Sequence, residues 1–419
     1  MTQQTDVVII GGGQAGLAMS YYLTQQGRTH VILERGRIAE TWRSQRWDSF
    51  TLVTPNWMTQ LPGFPYQGED PDGFLPHDEI VITLERYAKS FHAPLRCGVQ
   101  ATAVRLQPEG NGYLVETSDG SFEAANVVLA TGGFPRPKLP RASAAIPVNI
   151  MQLHSSQYRK PQRLPSGAVL VVGSGQSGSQ IAEELHQSGR QVYICVSRCG
   201  RSPRRYRGKD VMWWVNQMGG YDRTVDSLPS PAARYVCHPD LSGKNGGHEI
   251  NLRQLASEGV VLLGRLQEVH GNHVILAPDL EENLTRADAH AAQLTHAIDD
   301  FVLRTGMDVP VESMIEEPTS KWVPPAEPIP EVDLYAAGIS TVIWAKGFQL
   351  DFGWVHVPVF DEAGSPLHQR GITSSPGFYF LGLPWLYKEK SALLYGIGED
   401  AACLASAIES RYSTRASLP

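Results

Sequence analysis

Two glycine clusters, in separate parts of the chain, carry the strongest chemical signal in the sequence. Each is a GxGxxG motif, formed by Gly11, Gly13 and Gly16 in the first copy and by Gly173, Gly175 and Gly178 in the second. In such a motif the first glycine permits a tight turn, the second lets a diphosphate approach the backbone, and the third lets a helix pack closely on a strand. The neighbouring backbone N–H groups would then bind the diphosphate at a helix N-terminus. The residues assigned to this role are Gln14 and Ala15 in the first copy, and Ser174, Gln176 and Ser177 in the second.

The residues that follow each motif predict which nucleotide it binds. Glu34 ends the strand that follows the first motif, where a carboxylate can accept hydrogen bonds from a free ribose diol, as in the ADP half of FAD or NAD. In the second copy Val196 takes the aligned position, and Ser197 and Arg198 follow. An arginine can bind a 2′-phosphate through two hydrogen bonds, whereas a carboxylate would repel it. The first motif therefore suits FAD and the second NADPH.

Further arginines accompany both sites. Arg35, next to Glu34, is assigned to the FAD site. Arg198 begins the basic cluster RCGRSPRRYRGK, in which Arg204 is a second candidate for contact with the NADPH phosphate. A solvent-exposed basic surface explains the same cluster equally well.

Both motifs lie in the same strand–turn–helix–strand unit. VVIIGGGQAGLAMSYYLTQQGRTHVILER begins at Val7, and VLVVGSGQSGSQIAEELHQSGRQVYICVSR begins at Val169. Each opens with a β-branched run, which is typical of a strand buried on both faces of a parallel sheet. Each helix is then ended by a glycine, Gly27 or Gly189. Two copies predict an α/β protein with two Rossmann-like dinucleotide-binding domains, because a repeat protein would need a third copy.

The composition between and after the repeats predicts the domain limits. We expect a discontinuous FAD-binding domain, 1–135 and 335–419, with an NADPH-binding domain, 136–334, inserted into it. The proline-rich stretch 136–168 is typical of a linker, and residues 200–250 show few periodic signals, which indicates a substrate or lid loop region.

Composition argues against several other classes of protein. The net charge of −7 is a poor match for nucleic acid. No apolar run reaches the roughly 20 residues that cross a bilayer. The N-terminus enters a strand without a basic region, so we expect no signal peptide and a cytoplasmic location. The five cysteines include no CxxC pair, which argues against a disulfide framework or a redox dithiol, and no metal ligand is assigned.

The sequence resembles the class B flavin monooxygenases, meaning the flavin-containing monooxygenases and their bacterial and plant YUCCA-like relatives. The resemblance covers most of the chain. Beyond the glycine motifs it rests on five segments, ETWRSQRWDSFTLVTPNW from Glu40, ATGG at Ala130–Gly133, HSSQYR at His154–Arg159, IWAKGF at Ile343–Phe348, and GIGEDA from Gly396.

The chain departs from this family at two places. The family linker pattern FxGxxxHxxx(Y/F)(K/R) is matched by His154, Tyr158 and Arg159, but Val148 and Ile150 replace the Phe and the Gly. Baeyer–Villiger enzymes of the family would have Trp in place of Tyr158, so the resemblance disfavours ketone oxygenation. Lys346 stands where relatives usually have Thr, and the sequence assigns it no role.

The resemblance implies further cofactor contacts. Trp42, Arg43 and Thr54 are expected beside the flavin, and Asn56 is the catalytic candidate because its amide could donate a hydrogen bond to a flavin peroxide. The remaining assigned residues are Gly132 between the domains, His154 and Tyr158 on the NADPH side, and Asp400 and Ala401 at a helix N-terminus near the flavin pyrimidine. Ordinary structural roles remain open, namely core packing for Trp42, a turn for Asn56, an N-cap for Asp400 and a hydrogen-bonded linker histidine for His154.

The sequence therefore predicts an NADPH- and O2-dependent flavin monooxygenase. By resemblance, NADPH reduces FAD, the reduced flavin forms a C4a-(hydro)peroxyflavin, and a small-molecule substrate is oxygenated at a soft nucleophilic nitrogen or sulfur. Two alternatives stay open, an NADPH-dependent flavin oxidase or reductase without oxygen insertion, and a non-catalytic nucleotide-binding sensor. The sequence names neither the substrate nor the oligomeric state, and it is compatible with a homo-oligomer.

Overall fold

The computed structural model describes residues 2–108, 112–237, 239–311 and 322–416. Within them we number 24 strands and eight α-helices in chain order. The strands are β1 (Thr2–Ile10), β2 (His30–Glu34), β3 (Gln60–Leu61), β4 (Phe64–Pro65), β5 (Leu95–Cys97), β6 (Ala101–Leu106), β7 (Tyr113–Thr117), β8 (Gly120–Leu129), β9 (Arg136–Pro137), β10 (Met151–His154), β11 (Ala168–Val172), β12 (Val192–Cys195), β13 (Arg205–Tyr206), β14 (Lys209–Asp210), β15 (Leu241–Ser242), β16 (His248–Glu249), β17 (Val261–Leu263), β18 (Leu266–His270), β19 (His273–Leu276), β20 (Glu331–Asp333), β21 (Ile339–Trp344), β22 (Phe348–Gln349), β23 (Val355–His356) and β24 (Phe378–Phe380). The helices are α1 (Gln14–Gln25), α2 (Glu40–Ser44), α3 (His77–Ser90), α4 (Gln176–Gln187), α5 (Val211–Gln217), α6 (Leu252–Ser257), α7 (Leu280–Thr305) and α8 (Ile397–Ala416).

The first glycine motif lies in a large mixed sheet built around β1. The apolar residues Val7–Ile9 of β1 are fully buried, which requires cover on both faces of the sheet. Parallel pairing joins β1 to β2 on one side and to β8 on the other, and β5 extends the sheet beyond β2. The first half of β8 pairs antiparallel with β7, whereas its second half pairs parallel with β24. This sheet and its helices form what we call the first lobe.

The second glycine motif lies in a separate, fully parallel sheet of five strands. Its order is β10-β21-β11-β12-β17, so β21 occupies a position between two other strands. Val342 and Ile343 of β21 have no solvent exposure, as an apolar run at a central position should. We call this sheet, with the helices that pack on it, the second lobe. The strand lies inside the range 335–419, which the sequence predicts to belong to the FAD-binding domain, but it pairs with β10 and β11 in the sheet of the second glycine motif.

The chain passes between the two lobes twice at one place. β9 lies on the first crossing, from the first lobe to the second, and β22 lies on the crossing back. The two strands pair antiparallel, with Phe348 opposite Pro137. After the return, β24 joins the first sheet and α8 packs against α1. Residues 200–250, expected as a loop region, contain α5 and short hairpins such as β13–β14 and β15–β16. Within the described residues, every helix is too short or too polar to span a membrane.

Candidate cofactor sites

The first glycine turn is packed so tightly that two of its glycines admit no side chain. Gly11 has a φ of +121°, and a Cβ there would lie 2.3 Å from the Ala130 carbonyl oxygen. A Cβ on Gly16 would lie 1.9 Å from the Gly11 carbonyl oxygen. Gly13 differs, because nothing lies within 4 Å of the Cβ that it lacks. Space is therefore present in front of the second glycine, where a diphosphate would approach.

Helix α1 points its N-terminus at this space. Gly13 is its N-cap and provides no side-chain hydrogen bond to the first turn. Gln14 is held by its side chain, which donates to the Ala392 carbonyl at 2.7 Å, and Ala15 is buried next to Gly382. The first-turn N–H groups thus lack a side-chain cap and form the positive end of a 12-residue helix, which suits an anionic diphosphate.

Glu34 ends β2 beside this helix N-terminus. Its carboxylate accepts the N–H groups of Gly12 and Gly36, each at 2.8 Å. These bonds fix the orientation of the carboxylate, and each oxygen retains a lone pair for a ribose hydroxyl. Arg35 is exposed beside it.

Several buried polar atoms of the first lobe lack a hydrogen-bond partner among the described residues. Asp400, at the start of α8, is 2% exposed, and burial raises its pKa despite Arg370, whose Nε lies 3.5 Å from Oδ1. Ala401 is fully buried beside it, and a Cβ on Gly132 would meet nothing within 4 Å. The atoms without partners include Asn56 Oδ1, Trp57 Nε1, Thr59 Oγ1, Arg370 Nε and Asp400 Oδ2. Such atoms are costly to bury, and a polar ligand such as a flavin with its ribityl chain would remove that cost if it gave them hydrogen bonds.

The candidates from the ETWRSQRWDSFTLVTPNW segment each contact other residues of the first lobe. Asn56 is 4% exposed, and its Nδ2 donates to the Asp70 carbonyl at 2.9 Å and lies 3.4 Å from the Tyr66 hydroxyl. Thr54 is half-buried. Trp42 and Arg43 lie on α2, where Trp42 packs on Phe50 and Arg43 bonds to the Ile38 carbonyl and to Glu85.

The second glycine turn has the same backbone packing as the first. Gly173 has a φ of +108°, and its missing Cβ would lie 2.6 Å from the Ala345 carbonyl oxygen. A Cβ on Gly178 would lie 1.9 Å from the Gly173 carbonyl oxygen. Gly175, the N-cap of α4, likewise provides no side-chain cap.

The space in front of the second turn, however, is occupied. Cys237 Sγ lies 2.9 Å from the position of a Cβ on Gly175. We call Cys237 together with residues 239–241 the covering segment. The Gln176 side chain donates to the Leu241 carbonyl, Gln180 does so at 2.8 Å, and Ser179 Oγ donates to Asp240 at 2.7 Å. No pattern in the sequence indicated this contact, since the segment is distant from the motif along the chain.

A shallow groove continues from the second turn along the end of β12. Ser174 Oγ accepts the Ser197 N–H at 2.9 Å, and both residues line it. Arg198 is exposed and forms no ion pair among the described residues, whereas Ser177 is half-buried on the first turn of α4. Arg201 and Arg253 also line the groove, and each binds Asp288, at 2.8 and 3.0 Å. Sequence reasoning missed Arg253 altogether, because a single arginine at the start of a short helix has no motif.

Arg204 lies in a buried ion pair in the structure. It is 4% exposed, with Nε and Nη2 at 2.8 and 2.7 Å from Asp210, and Nη1 donates to the Val53 carbonyl of the first lobe. Its guanidinium also lies over the Phe74 ring. These contacts use the guanidinium within the protein, so we leave Arg204 out of the phosphate site.

His154 and Tyr158 are also occupied by protein partners. His154 is 2% exposed and bonds to the Ser156 hydroxyl and to the Gly347 carbonyl, which joins the outgoing and returning crossings. Burial lowers its pKa. Tyr158 is fully buried and donates to Glu184 at 3.3 Å. In this conformation both act as structural links of the second lobe.

Comparison with known proteins finds an oxidoreductase that is similar to this chain along nearly its whole length. A family model of pyridine nucleotide-disulphide oxidoreductases matches residues 8–218. The CzcO-like oxidoreductase of Geobacillus kaustophilus is 34% identical over 412 residues, covering 97% of this chain and 99% of that protein. The indole-3-pyruvate monooxygenase YUCCA1 of Oryza sativa subsp. japonica is 29% identical over 191 residues, 45% of this chain and 47% of that protein.

The solved flavin-containing monooxygenase of Stenotrophomonas maltophilia has a similar fold. Its TM-score is 0.64 at 18% identity, covering 98% of this chain and 99% of that one. With the YUCCA1 match, this fold confirms the resemblance to class B flavin monooxygenases that the motifs indicate.

Proposed function

Because the chain belongs to the pyridine nucleotide-disulphide oxidoreductase family and is an FAD-dependent oxidoreductase, we propose that it is an NADPH- and O2-dependent monooxygenase of small molecules. In this proposal the first lobe binds FAD and the second, inserted lobe binds NADPH, each as a Rossmann-like domain. The substrate is oxygenated at a soft nucleophilic nitrogen or sulfur.

The observation that carries the proposal is the open space at Gly13. An uncapped helix N-terminus and a fixed Glu34 carboxylate adjoin it, and the first lobe also contains buried polar atoms without hydrogen-bond partners. A diphosphate would lie on α1, a ribose diol on Glu34, and a ribityl chain near Asp400. The second turn has the same glycine geometry as the first. Ser197 and Arg198 follow its strand in place of a carboxylate like that of Glu34, which favours a 2′-phosphorylated nucleotide there.

The residues around Asn56 would form the reaction pocket. Trp57 packs edge-on against Tyr395 with ring centroids 5.5 Å apart, and Tyr221 also packs edge-on against Tyr395 at 6.1 Å. The Tyr395 hydroxyl also bonds to Asn216 at 3.0 Å. These rings come from both lobes, so the pocket closes only when the lobes are docked, and closure excludes water.

When bound, the flavin supplies the redox chemistry, namely hydride acceptance and dioxygen activation. The chain orients it and controls what reaches it. Asn56 would offer its amide beside the proposed ring position, and the N-terminus of α8 would direct its dipole at the ring edge that gains charge on reduction. Lys346 is exposed. Its Cδ lies 3.7 Å from the position that a Cβ on Gly173 would take, so we place Lys346 on the nucleotide side of the second turn.

The purified protein is expected to be yellow, with FAD bound without a covalent bond. No cysteine or histidine lies in a flavin-attachment motif, so heat denaturation should release all of the flavin into the supernatant. Absorbance and chromatography of the supernatant identify it. Flavin that stays with the precipitated chain, or FMN in place of FAD, would contradict the first site as we describe it.

Asn56→Ala should uncouple NADPH consumption from substrate oxygenation. We expect more hydrogen peroxide per NADPH oxidised, with little change in the rate of flavin reduction, because reduction uses the nucleotide side of the ring. The loss of the bond to the Asp70 carbonyl should cost about 1 kcal/mol of stability. Tyr66→Phe is the matched control, since it removes the hydroxyl at 3.4 Å and leaves the Asn56 amide in place.

A screen of amines and thioethers tests the proposal as a whole. NADPH consumption, hydrogen peroxide release and oxygenated product are followed together. A substrate that raises product while lowering peroxide supports the monooxygenase. NADPH fully converted to hydrogen peroxide with every compound would leave the NADPH oxidase as the better description.

A further inference from the structure

The covering segment and the end of β12 bring three potential metal-binding side chains together beside the second glycine turn. Cys199, Cys237 and Asp240 are brought together there, although the two cysteines are far apart in the sequence. Their donor atoms, two thiol sulfurs and one carboxylate oxygen, all lie within 4.8 Å of one another. No spacing motif marks them in the sequence, which explains why no metal ligand was assigned.

From this geometry we propose that Cys199, Cys237 and Asp240 bind a soft divalent cation, with Zn²⁺ as the best match, at the second glycine turn. Zinc takes thiolate at about 2.3 Å and carboxylate at about 2.0–2.2 Å in a tetrahedral arrangement, which separates neighbouring donors by roughly 3.5–3.8 Å. Cys199 Sγ and Asp240 Oδ1 are 3.3 Å apart, so they need to open by only a few tenths of an ångström. Two sulfur donors favour zinc, cobalt or cadmium over magnesium or calcium.

The environment of Asp240 supports a cation. The residue is 3% exposed and has no cationic partner among the described residues, and its Oδ1 accepts from the Cys199 thiol. A buried carboxylate without a cation is costly. A divalent cation would remove that cost.

The carboxylate is also held in position by its neighbours. Ser179 Oγ donates to Oδ2 at 2.7 Å, as an outer partner of a metal-binding carboxylate commonly does. The backbone is fixed as well, because the Asp240 N–H bonds to the Gly200 carbonyl and the Ile250 N–H bonds to the Asp240 carbonyl. Cys237 is half-buried, so one side of the cluster reaches the surface and leaves a way in.

Binding displaces the protons that the thiols carry. With Asp240 ionised, Zn²⁺ and two thiols give a Zn(thiolate)₂(carboxylate) group of net charge −1 and two released protons. A fourth position remains for water. The site would therefore hold Cys237 against Gly175 and place a negative group at the position we propose for the NADPH diphosphate. Zinc and nucleotide should then exclude one another, a consequence that rests on the proposed function.

The test is metal binding by the full-length chain, stripped with a chelator and titrated with Zn²⁺ against a chromophoric competitor. We expect one zinc per chain, and Co²⁺ in its place should give thiolate-to-cobalt absorption bands. Cys199→Ser and Cys237→Ser should each abolish stoichiometric binding and the bands. Ser179→Ala should weaken binding by about 10- to 100-fold. Cys97→Ser, at the exposed end of β5, is the control and should bind as the unchanged chain does.

Three outcomes would overturn the site. In the first, the unchanged chain binds no zinc. In the second, Cys237→Ser binds zinc fully while its circular dichroism matches that of the parent. In the third, the chain binds no metal and its mass falls by two hydrogens on treatment with hydrogen peroxide. The last would identify the pair as a disulfide-forming dithiol. A separate titration with NADP⁺ measures the competition. If NADP⁺ fails to bind even the zinc-free chain, the proposed function loses its second site while the metal result stands.

Discussion

Gly13→Ala should yield a folded protein that has lost its flavin. Nothing lies within 4 Å of the new methyl group in the protein itself, and the backbone there is extended, so the fold tolerates it. The same methyl occupies the space proposed for the FAD diphosphate. An inserted methyl costs roughly 1–3 kcal/mol, and each lost hydrogen bond to a charged oxygen about 1.5–3 kcal/mol. We expect FAD affinity to fall at least about 100-fold, since about 1.4 kcal/mol is tenfold.

Flavin content per chain and circular dichroism measure this result together. Gly353→Ala is the matched control, because this exposed glycine has comparable room and lies away from both glycine turns. Gly16→Ala makes the opposite comparison, since its methyl would meet the Gly11 carbonyl at 1.9 Å and should prevent folding. A Gly13→Ala protein that retains FAD at parental affinity would remove the diphosphate from the first turn.

Arg198→Ala should impair NADPH selectively. The exposed guanidinium makes no ion pair among the described residues, so its removal should leave the fold intact. A hydrogen bond to a charged group contributes roughly 1.5–3 kcal/mol. We therefore expect kcat/KM for NADPH to fall by about 10- to 150-fold, while the value for NADH stays nearly unchanged.

Initial rates with both nucleotides provide the measurement. Arg86→Ala is the control, an exposed arginine on α3 of the first lobe that should change neither value. Equal losses for NADPH and NADH would place the 2′-phosphate elsewhere, first at Arg253 or Arg201 in the groove beside Ser197.

The sequence predicted the parts of the fold that local spacing determines. The units β1–α1–β2 and β11–α4–β12 lie where the glycines and β-branched runs indicate, because turn geometry and strand burial depend on residues that are close together in the sequence. The position of β21 was not predictable in the same way. An apolar strand fits either sheet by its composition, and only its long-range pairing with β11 decides between them.

The candidate sites divide along the same line. Glu34 and the open space at Gly13 follow from the motif itself. The ion pair of Arg204 with Asp210, the hydrogen bonds of His154 and the cover that Cys237 places on Gly175 depend on segments that carry no periodic signal. A basic cluster beside a phosphate motif therefore predicted the region of the nucleotide site, but not which arginine is available to it.

The late position of β21 and β24 in the chain has a consequence for synthesis on the ribosome. The second sheet lacks an inner strand until residues 339–344 have emerged, and the first sheet lacks β24 and α8 until after residue 378. Strands that are distant in the sequence pair slowly, and strand edges that are still unpaired are prone to aggregate. Neither sheet is complete before the last fifth of the chain begins to appear. A gene cut between the two glycine motifs separates β1 and β8 from β24 and α8, so the N-terminal half should be insoluble.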